Sequence, residues 1–559
     1  MSASIAPAPP PSPRPRRWTW AWTLAVVAGA IALGFALTAG GVATWDSLAH
    51  EDRSRWLVHD FGLPTTRPAD HLLDETLRWY GPLWALFLGI LSELPFRFVH
   101  DPDWVQHAFN FALYPVGLWA VVGLLGRGGV RRSTAVLAAA LLVGAIRLGG
   151  HALVNVNDFP MAMLSLLVML YLWVKLREVD AGARAAGGIA RPTLVWLGVV
   201  AMVPFLVRPP VALQPLTLGA FLALYARVAL GGARPARRLE QVAVPLLAGL
   251  AFAVAAWPAL WARGRVLPLE QGVRVFAHFP WLGAVRFFGH EAMSNALPRL
   301  YPLVWLPVML TPATFVLLLV GLGRAAARPA PLGPAFPLGG AAGRAIDLSL
   351  GRWLALHAAL LWLGVVVLHP TVYDEERHLL FLYPPLLVLA ALGLDDLGEG
   401  IKYALAALVV AASLFSYAQW GRYAYVYESP LVGAGAGRFN GDYWGACVPL
   451  AVEALAGRVP PGADVVVPGP VDAAVIQYAR LRAGPRAASG FGPYRILARP
   501  AGGPATFIFN NRTGSGLGRA LRDVAAGRAR ELWRTAMPSG EPACVLVAYD
   551  GLGARPPSR

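Results

Sequence analysis

Apolar residues along this chain gather in long blocks separated by short polar or basic segments. The blocks run to roughly 17–25 residues, the length a helix needs to cross a hydrocarbon core of about 30 Å. About eleven spans are predicted, at 18–42, 104–126, 133–152, 159–176, 193–208, 211–229, 242–262, 302–322, 353–369, 379–394 and 403–419. One further apolar run, Tyr80-Gly-Pro-Leu-Trp-Ala-Leu-Phe-Leu-Gly-Ile-Leu91, is only about half a span and predicts a re-entrant or interface-lying helix. After residue 420 the pattern changes to short β-like runs broken by Gly and Pro: Asp464–Pro468, Thr506–Asn510 and Cys544–Tyr549. That predicts a small α/β domain. The fold class expected is therefore an all-α polytopic membrane bundle with a small α/β C-terminal domain.

The basic residues orient the bundle. Arg14, Arg16, Arg17, Arg127, Arg131, Arg132, Lys175, Arg177, Arg184, Arg191, Arg227, Arg234, Arg237, Arg238, Arg324, Arg328, Arg344, Arg352 and Lys402 fall in alternate connections. The short intervening ones hold only Arg147, Arg208 and Arg377. Positive charge stays on the cytoplasmic side, so the N-terminus is expected inside and, with an odd number of spans, the C-terminal domain outside a plasma (inner) membrane. The expected organisation is a Pro/Arg-rich cytoplasmic tail at 1–17, a transmembrane domain at 18–419 with a long first exported loop at 43–103, and an exported domain at 420–559. Residues 323–352 read as a low-complexity linker. The first apolar run is too long for the core of a cleaved signal and reads as an uncleaved span.

Composition sharpens this picture. Of 559 residues, 56% are hydrophobic and 14% charged, which excludes an ordinary soluble domain. The formal charge of +16 would suit a nucleic-acid binder, but nearly all of it is arginine placed where topology puts it, and no compact basic, aromatic-studded segment exists. With 59 Gly and 48 Pro, the arginine content reflects a GC-rich coding bias, and no nucleic-acid partner is expected. Cys447 and Cys544 make no metal motif; in an exported domain they are either a disulfide or two small buried side chains.

Candidate chemistry collects on the exported side. Ionisable residues at span ends are costly in lipid and mark function. Asp46, His50, Glu51 and Asp52 follow the first span; Asn155, Asn157 and Asp158 lie between the third and fourth; Arg208 ends the fifth; and Tyr373-Asp-Glu-Glu-Arg-His378 lies between the ninth and tenth. Each has a plainer reading. Tyr80 can be an interfacial anchor, Asn155 and Asn157 can satisfy backbone at a short turn, Asp374, Glu375 and Glu376 can be solvated, and His107 and His151 can pack in the bundle. Asp46 and His50 stand one helical turn apart, a geometry able to hold a metal, but two ligands make no metal site.

The order of these features resembles the GT-C glycosyltransferases, in particular bacterial members related to protein O-mannosyltransferases and lipid A aminoarabinose transferases. The resemblance rests on Thr44-Trp-Asp46 with His50, Tyr80-Gly-Pro82, Gln106-His-Ala-Phe-Asn110, Gly150-His-Ala-Leu-Val-Asn-Val-Asn-Asp-Phe-Pro160, Leu297-Pro298, Tyr301-Pro302, Glu376-Arg-His-Leu-Leu-Phe-Leu-Tyr-Pro-Pro385 and Asp442-Tyr-Trp-Gly445, over roughly residues 20–450. It implies a GT-C fold and an inverting transfer of a hexosyl or pentosyl unit from a polyprenyl-phosphate-linked donor to a lipid, glycan or protein acceptor beside the membrane lipid. It further implies that Asp46 is the catalytic base or acceptor ligand, that Asp158 is a second catalytic acid, and that Arg377, with His378 and Arg208, meets the donor phosphate. Where the family often carries an acidic pair after the first span, this chain has Ser47 second, leaving Glu51 and Asp52 as substitutes. His50, Tyr80, Asn155 and Asn157 support the site. No metal ligand is assigned, and a divalent cation is left open as cofactor. The alternatives are a secondary transporter or lipid flippase, whose charged sites belong near the bilayer midplane, a non-catalytic scaffold or receptor, and a ligase or polymerase moving larger glycans.

Overall fold

A computed structural model describes residues 20–38, 47–62, 79–93, 102–185, 188–211, 213–228, 230, 233–260, 283–328, 333–339, 345–433, 437–467, 494–497, 504–512 and 516–550. Each of the eleven apolar runs contains helix: Trp20–Thr38, Pro102–Arg127, Arg132–Val143 with Ile146–Val154, Asp158–Ala185, Arg191–Val207, Gln214–Val228, Pro235–Ala255, Tyr301–Met309 with Pro312–Ala327, Leu350–Leu368, Tyr383–Gly393 and Glu399–Trp420. Among the described residues, six helices are long and apolar enough to cross a membrane: Trp104–Arg127, Asp158–Val179, Pro209–Val228, Pro235–Ala255, Leu350–Leu368 and Glu399–Val426. The outward faces of the bundle show Leu247, Leu363, Leu414 and Phe415 to the surroundings, whereas polar side chains such as Asn110, Arg147, Ser165 and Gln214 are buried. That inverted distribution suits hydrocarbon as solvent. The half-length run is the helix Pro82–Glu93, as its pattern predicts.

Two of the predicted spans are broken, and the breaks meet. The third run stops at Val143 and restarts at Ile146; the eighth stops at Met309 and restarts at Pro312. Ala145 and Leu310 form an antiparallel bridge, and the Thr311 amide donates to the Gly144 carbonyl at 3.0 Å. Backbone freed by each interruption is satisfied by the other, which is how non-helical chain is tolerated inside a bundle. Proline drives the second break: Pro312 occupies the first turn of its helix, and the hydroxyl of Thr311 caps it by accepting from the Thr314 amide. The first break re-aims the short helix Ile146–Val154, which carries Arg147 and His151.

The long loop after the first apolar run contains the helix Ser47–Asp60. Between the seventh and eighth runs lies a hairpin, Ala284–Phe287 with His290–Met293. The segment read as a low-complexity linker holds another, Ala335–Gly339 with Ala345–Ser349.

Beyond Trp420 the chain builds a five-stranded mixed sheet in the order Arg495–Leu497, Asp464–Val466, Ala505–Asn510, Pro542–Tyr549, Arg530–Ala536. Ala505–Asn510 is central, parallel to Asp464–Val466 and antiparallel to Pro542–Tyr549. All six of its residues are buried. Cys447 and Cys544 form a disulfide with Cα atoms 5.7 Å apart, so the first of the two cysteine readings holds. One apolar cluster joins domain to bundle: Ile146 and Val154 of the short helix pack with Trp420, Tyr425, Tyr443 and Trp444 and on to Ile508 and Leu546 of the sheet.

Candidate functional site at the junction of bundle and C-terminal domain

The short helix Ile146–Val154 sits where three parts of the chain converge. Its Gly150 lies directly against the backbone of Ala424 and Tyr425, leaving no room for a side chain. That contact seats the segment following the helix Glu399–Trp420 on the helix that carries His151. A second close approach fixes the first loop: Gly81 lies on the backbone of Leu206 and Val207, which puts Tyr80 beside Arg208.

From these seats a continuous buried polar chain runs across the junction. Arg147, fully buried, donates to Glu375 and, at 2.6 Å, to Glu376. Glu376 Oε1 lies 3.6 Å from His151 Nε2. The amide nitrogen of Asn155 donates to His151 Nδ1 at 3.3 Å, which leaves the ring proton on Nε2, facing Glu376 and the Tyr443 hydroxyl. Asn155 also donates to Asp158 Oδ2 at 2.9 Å, and its own carbonyl oxygen accepts from the Asp158 amide at 2.8 Å. Asp158 is ion-paired to Arg208. The Arg208 guanidinium lies 4.6 Å from the centre of the Tyr80 ring, and Arg53 lies 5.5 Å from the same ring. Arg53 in turn donates to Asn157 Oδ1 at 3.4 Å and to the Gly81 carbonyl.

Charge in this network is unequal along its length. One guanidinium, Arg147, faces two carboxylates with no solvent access, and such groups titrate as a unit. Burial and the adjoining Glu376 push the Glu375 carboxyl up; against the same desolvation, Arg147 and His151 hold Glu376 down. At the other end the sign reverses. Arg53 is 2% exposed and has no carboxylate partner among the described residues. Burial pulls its guanidinium down to about 9, with Arg208 adding repulsion, and it stays charged at neutral pH.

A second cationic group adjoins the first. Arg377 opens the 3-10 turn Arg377–Leu382, pairs with Asp374 at 3.1 Å, and lies over the rings of Tyr373 and Trp444 at 4.8 and 4.7 Å. His378 packs edge-on against Tyr373, centroids 4.5 Å apart, within electrostatic reach of Arg377, Arg208 and His151. Its Nε2 and the Nε of Arg208 are buried without a hydrogen-bond partner among the described residues.

The structure thus gathers Tyr80, Asn155, Asn157, Asp158, Arg208, Arg377 and His378 at one junction. Asp46 lies outside the described residues; His50, Glu51 and Asp52 are on the helix Ser47–Asp60, and their side chains lie outside the described set. Sequence reading overlooked Arg53 and Arg512, one charged residue in a loop full of them and one far away in the C-terminal domain. It treated Arg147 as a loop residue and Glu375 and Glu376 as potentially solvated, although all three are buried. His107 packs as expected, its ring bonded to the Leu153 carbonyl at 2.7 Å.

A divalent cation would need donor atoms not already engaged. Among the described residues, the Asp158 carboxylate is taken by Arg208 and Asn155, Glu375 by Arg147 and the Asn440 amide, and Glu376 Oε2 by Arg147, while Glu376 Oε1 is left without a hydrogen bond, 3.6 Å from His151 Nε2. The one described grouping with metal-ligand spacing, Asp442 with Cys447 and Cys544, is a disulfide beside a carboxylate that accepts from the Ala446 and Cys447 amides at 2.8 Å each. Thiolates, not disulfide sulfurs, bind metal, so that grouping is a backbone cap.

Fold and site together define a polytopic helical membrane protein with a buried, densely charged junction of arginines and carboxylates beside a disulfide-clamped α/β domain. No family model and no curated protein matches the chain. Among solved structures it is similar to ArnT from Cupriavidus metallidurans bound to undecaprenyl phosphate, at 15% identity and TM-score 0.48, covering 96% of this chain and 99% of the other. It is also similar to the oligosaccharyltransferase AglB from Archaeoglobus fulgidus in complex with an inhibitory peptide and a dolichol-phosphate: 11% identity, TM-score 0.43, 96% of this chain and 75% of that one. An apo form of the Archaeoglobus fulgidus oligosaccharyltransferase matches at 11% identity and TM-score 0.41, over 83% of this chain and 64% of that one.

Proposed function

We propose that this protein is a GT-C type membrane glycosyltransferase that takes a sugar from a polyprenyl-phosphate donor and passes it to a lipid, glycan or protein acceptor on the extracytoplasmic face. One observation carries the reading. Two buried guanidiniums, Arg53 and Arg208, flank Tyr80 with only the Asp158 carboxylate between them among the described residues. Buried charge of one sign demands a counter-charge, and a phosphate at the membrane surface supplies it. Guanidinium forks match phosphate oxygens.

In the proposed reaction an acceptor heteroatom attacks the anomeric carbon as the bond from that carbon to the phosphate oxygen breaks. The electron pair leaves with the phosphate, inverting the anomeric centre, and the acceptor proton passes to a carboxylate. Charge on the departing phosphate grows through the transition state, so Arg208 and Arg53, aided by Arg377 and His378, stabilise that state more than the ground state. Asp46 is assigned as base or acceptor ligand. Asp158, held by Asn155, aims Arg208.

A transporter reading has one observation in its favour: two broken helices meet within the bundle, as transporter sites do. The breaks bond to one another, however, and the charged groups lie at helix ends. The deciding experiment offers a panel of radiolabelled polyprenyl-phosphate sugars to the purified protein in lipid, with Asp46→Asn and Arg53→Gln as controls. Donor turnover by wild type, lost in both variants, supports the transferase. Lipid crossing the membrane with no donor cleaved favours the transporter, and full activity of Asp46→Asn removes that residue from its role.

A further inference from the structure

At the end of the helix Glu399–Trp420 a cleft of about 890 Å³ opens between the bundle and the C-terminal domain. Its walls come from three places: the helix end with the 3-10 turn Gly421–Val426, the segment from Glu428 to Gly433, and the turn that follows the strand Arg530–Ala536. The volume falls within the roughly 300–1,000 Å³ of small-molecule sites. About one turn back along the same helix, Leu414 and Phe415 are exposed. In a bundle solvated by hydrocarbon those side chains face lipid, so the cleft stands where acyl chains give way to headgroups.

Two opposite charges line this cleft without meeting. Arg422 is exposed, donates to the Ala446 carbonyl at 3.3 Å, and has no carboxylate partner among the described residues. Glu428 is half-buried, and among the described residues its carboxylate accepts no hydrogen bond and pairs with no cation. The charges within its electrostatic reach do not meet that need. Arg147 is engaged with Glu375 and Glu376, Arg438 donates to the carbonyls of Val432 and Gly433, and Glu541 adds repulsion. A carboxylate withdrawn from water calls for a cation or for hydrogen-bond donors. The hydroxyl of Ser539, on the same cleft, is also buried without a hydrogen-bond partner among the described residues. Trp420, Tyr423 and Ser429 complete the wall around these groups.

A positive and a negative group held apart in one cleft at headgroup level match a zwitterion. We propose that the cleft seats the headgroup of an aminophospholipid, with its phosphate on Arg422 and its primary ammonium on Glu428 and Ser539. A primary ammonium carries three donors, which is what an unpaired carboxylate and an unpaired hydroxyl lack, and the neighbouring rings suit a cation. A quaternary amine brings the charge without the donors. A headgroup with phosphate and no amine meets Glu428 as a like charge. The site shares no residue with the cationic group around Arg53 and Arg208, and it depends on the membrane placement of the chain rather than on the transferase reading. It also touches the junction: Glu428 follows Tyr427, whose carbonyl accepts from Arg147 Nε at 2.7 Å. A lipid held at Glu428 therefore braces the segment that positions Arg147.

The test titrates phosphatidylethanolamine, phosphatidylcholine and phosphatidylglycerol of one acyl composition into the delipidated full chain in detergent, with bound lipid counted by native mass spectrometry. Wild type is expected to bind phosphatidylethanolamine about tenfold more tightly than either of the others, the scale of one hydrogen bond to a charged group. Glu428→Gln is expected to erase that preference and leave phosphatidylcholine binding unchanged. Arg422→Gln is expected to weaken phosphatidylethanolamine and phosphatidylcholine alike, by about threefold, because an exposed guanidinium is screened. Equal affinity of wild type for all three lipids overturns the site, as does a preference that survives in Glu428→Gln. Phosphatidylcholine bound as tightly as phosphatidylethanolamine overturns the hydrogen-bonded ammonium in favour of an aromatic cage, and undiminished binding in Arg422→Gln overturns the phosphate contact. If Glu428→Gln does not fold, Ser539→Trp replaces it. That change fills the cleft from the surface turn Met537–Gly540, closed by the Gly540 amide donating to the Met537 carbonyl at 2.9 Å. Loss of the preference in Ser539→Trp supports the site, and its survival there overturns it. Donor turnover takes no part in these measurements, so failure of the lipid site leaves the transferase reading intact.

Discussion

The two ends of the helical bundle carry comparable numbers of charges and use them in opposite ways. At one end the pairs reach solvent: Arg127 with Glu178 at 2.6 Å, side chains 54% and 39% accessible, Lys175 with the same Glu178 at 2.8 Å, Arg191 with Glu240, and Arg324 and Arg328 with Asp396. At the other end Arg147, Glu375, Glu376, His151, Asp158 and Arg208 are buried and linked across distant segments. Exposed pairs contribute little because water screens them and two long side chains must be ordered. Buried ones cost several kcal/mol per ion in desolvation, which only good geometry and further hydrogen bonds offset. An end assembled from buried ions is worse for stability than a greasy one of the same shape, so its retention argues for a job other than holding the fold together.

The largest effect is expected at Arg147. Arg147→Met strands Glu375 and Glu376 beside one another, and should cost about 3–5 kcal/mol, seen as failed accumulation or a strongly lowered melting temperature in detergent. The double replacement Glu375→Gln, Glu376→Gln with Arg147→Met should recover most of the loss. If it does not, the pairing is not what holds the junction.

Next comes Arg53→Gln, where activity and stability part company. Donor turnover should fall about 10²-fold, the scale of losing one donor to a developing oxyanion, while the melting temperature holds or rises because an uncompensated buried charge is gone. A drop in both would mark Arg53 as structural.

A smaller effect separates the junction's rim by pH. Burial pushes Glu428 up to about 7, despite Arg147 nearby, and Glu541 adds repulsion. Its folded pKa lies above the unfolded value, so the contribution it makes is complete at low pH and is lost as pH rises through about 7. Wild type should therefore lose on the order of 1 kcal/mol between pH 5 and 7.5 relative to Glu428→Gln, a flatter profile in the variant being the readout.

Smallest of all is Arg127→Ala at the opposite end, expected to change stability by about 0.2–1 kcal/mol at low salt and less at high salt. A cost comparable to that of Arg147→Met would dissolve the contrast between the two ends.

Much of this molecule is legible without coordinates. All eleven apolar runs contain helix, the half-length run at Pro82–Glu93 is a short helix, and the three β-like runs fall on strands of one sheet. Those features follow from local physics: hydrophobic length, the alternation of a strand, and Gly and Pro as breaks. Residues near span ends on one face, Asp158, Arg208, Arg377 and His378 among them, are also picked out by the cost of placing charge in lipid.

What sequence could not decide is which charges meet. Glu375 and Glu376 read equally well as solvated loop residues until Arg147, 228 and 229 positions earlier, is brought against them. Arg147 does so only because its helix breaks at residues 144–145 against another break at 310–311, a match invisible to any local window. Arg512 reaches Asp374 across 138 positions, through a sheet and a disulfide that only the folded domain aligns. Periodicity is a property of neighbours along the chain and determines elements. Burial of opposite charge is a property of neighbours in space, and the tertiary structure alone decides it.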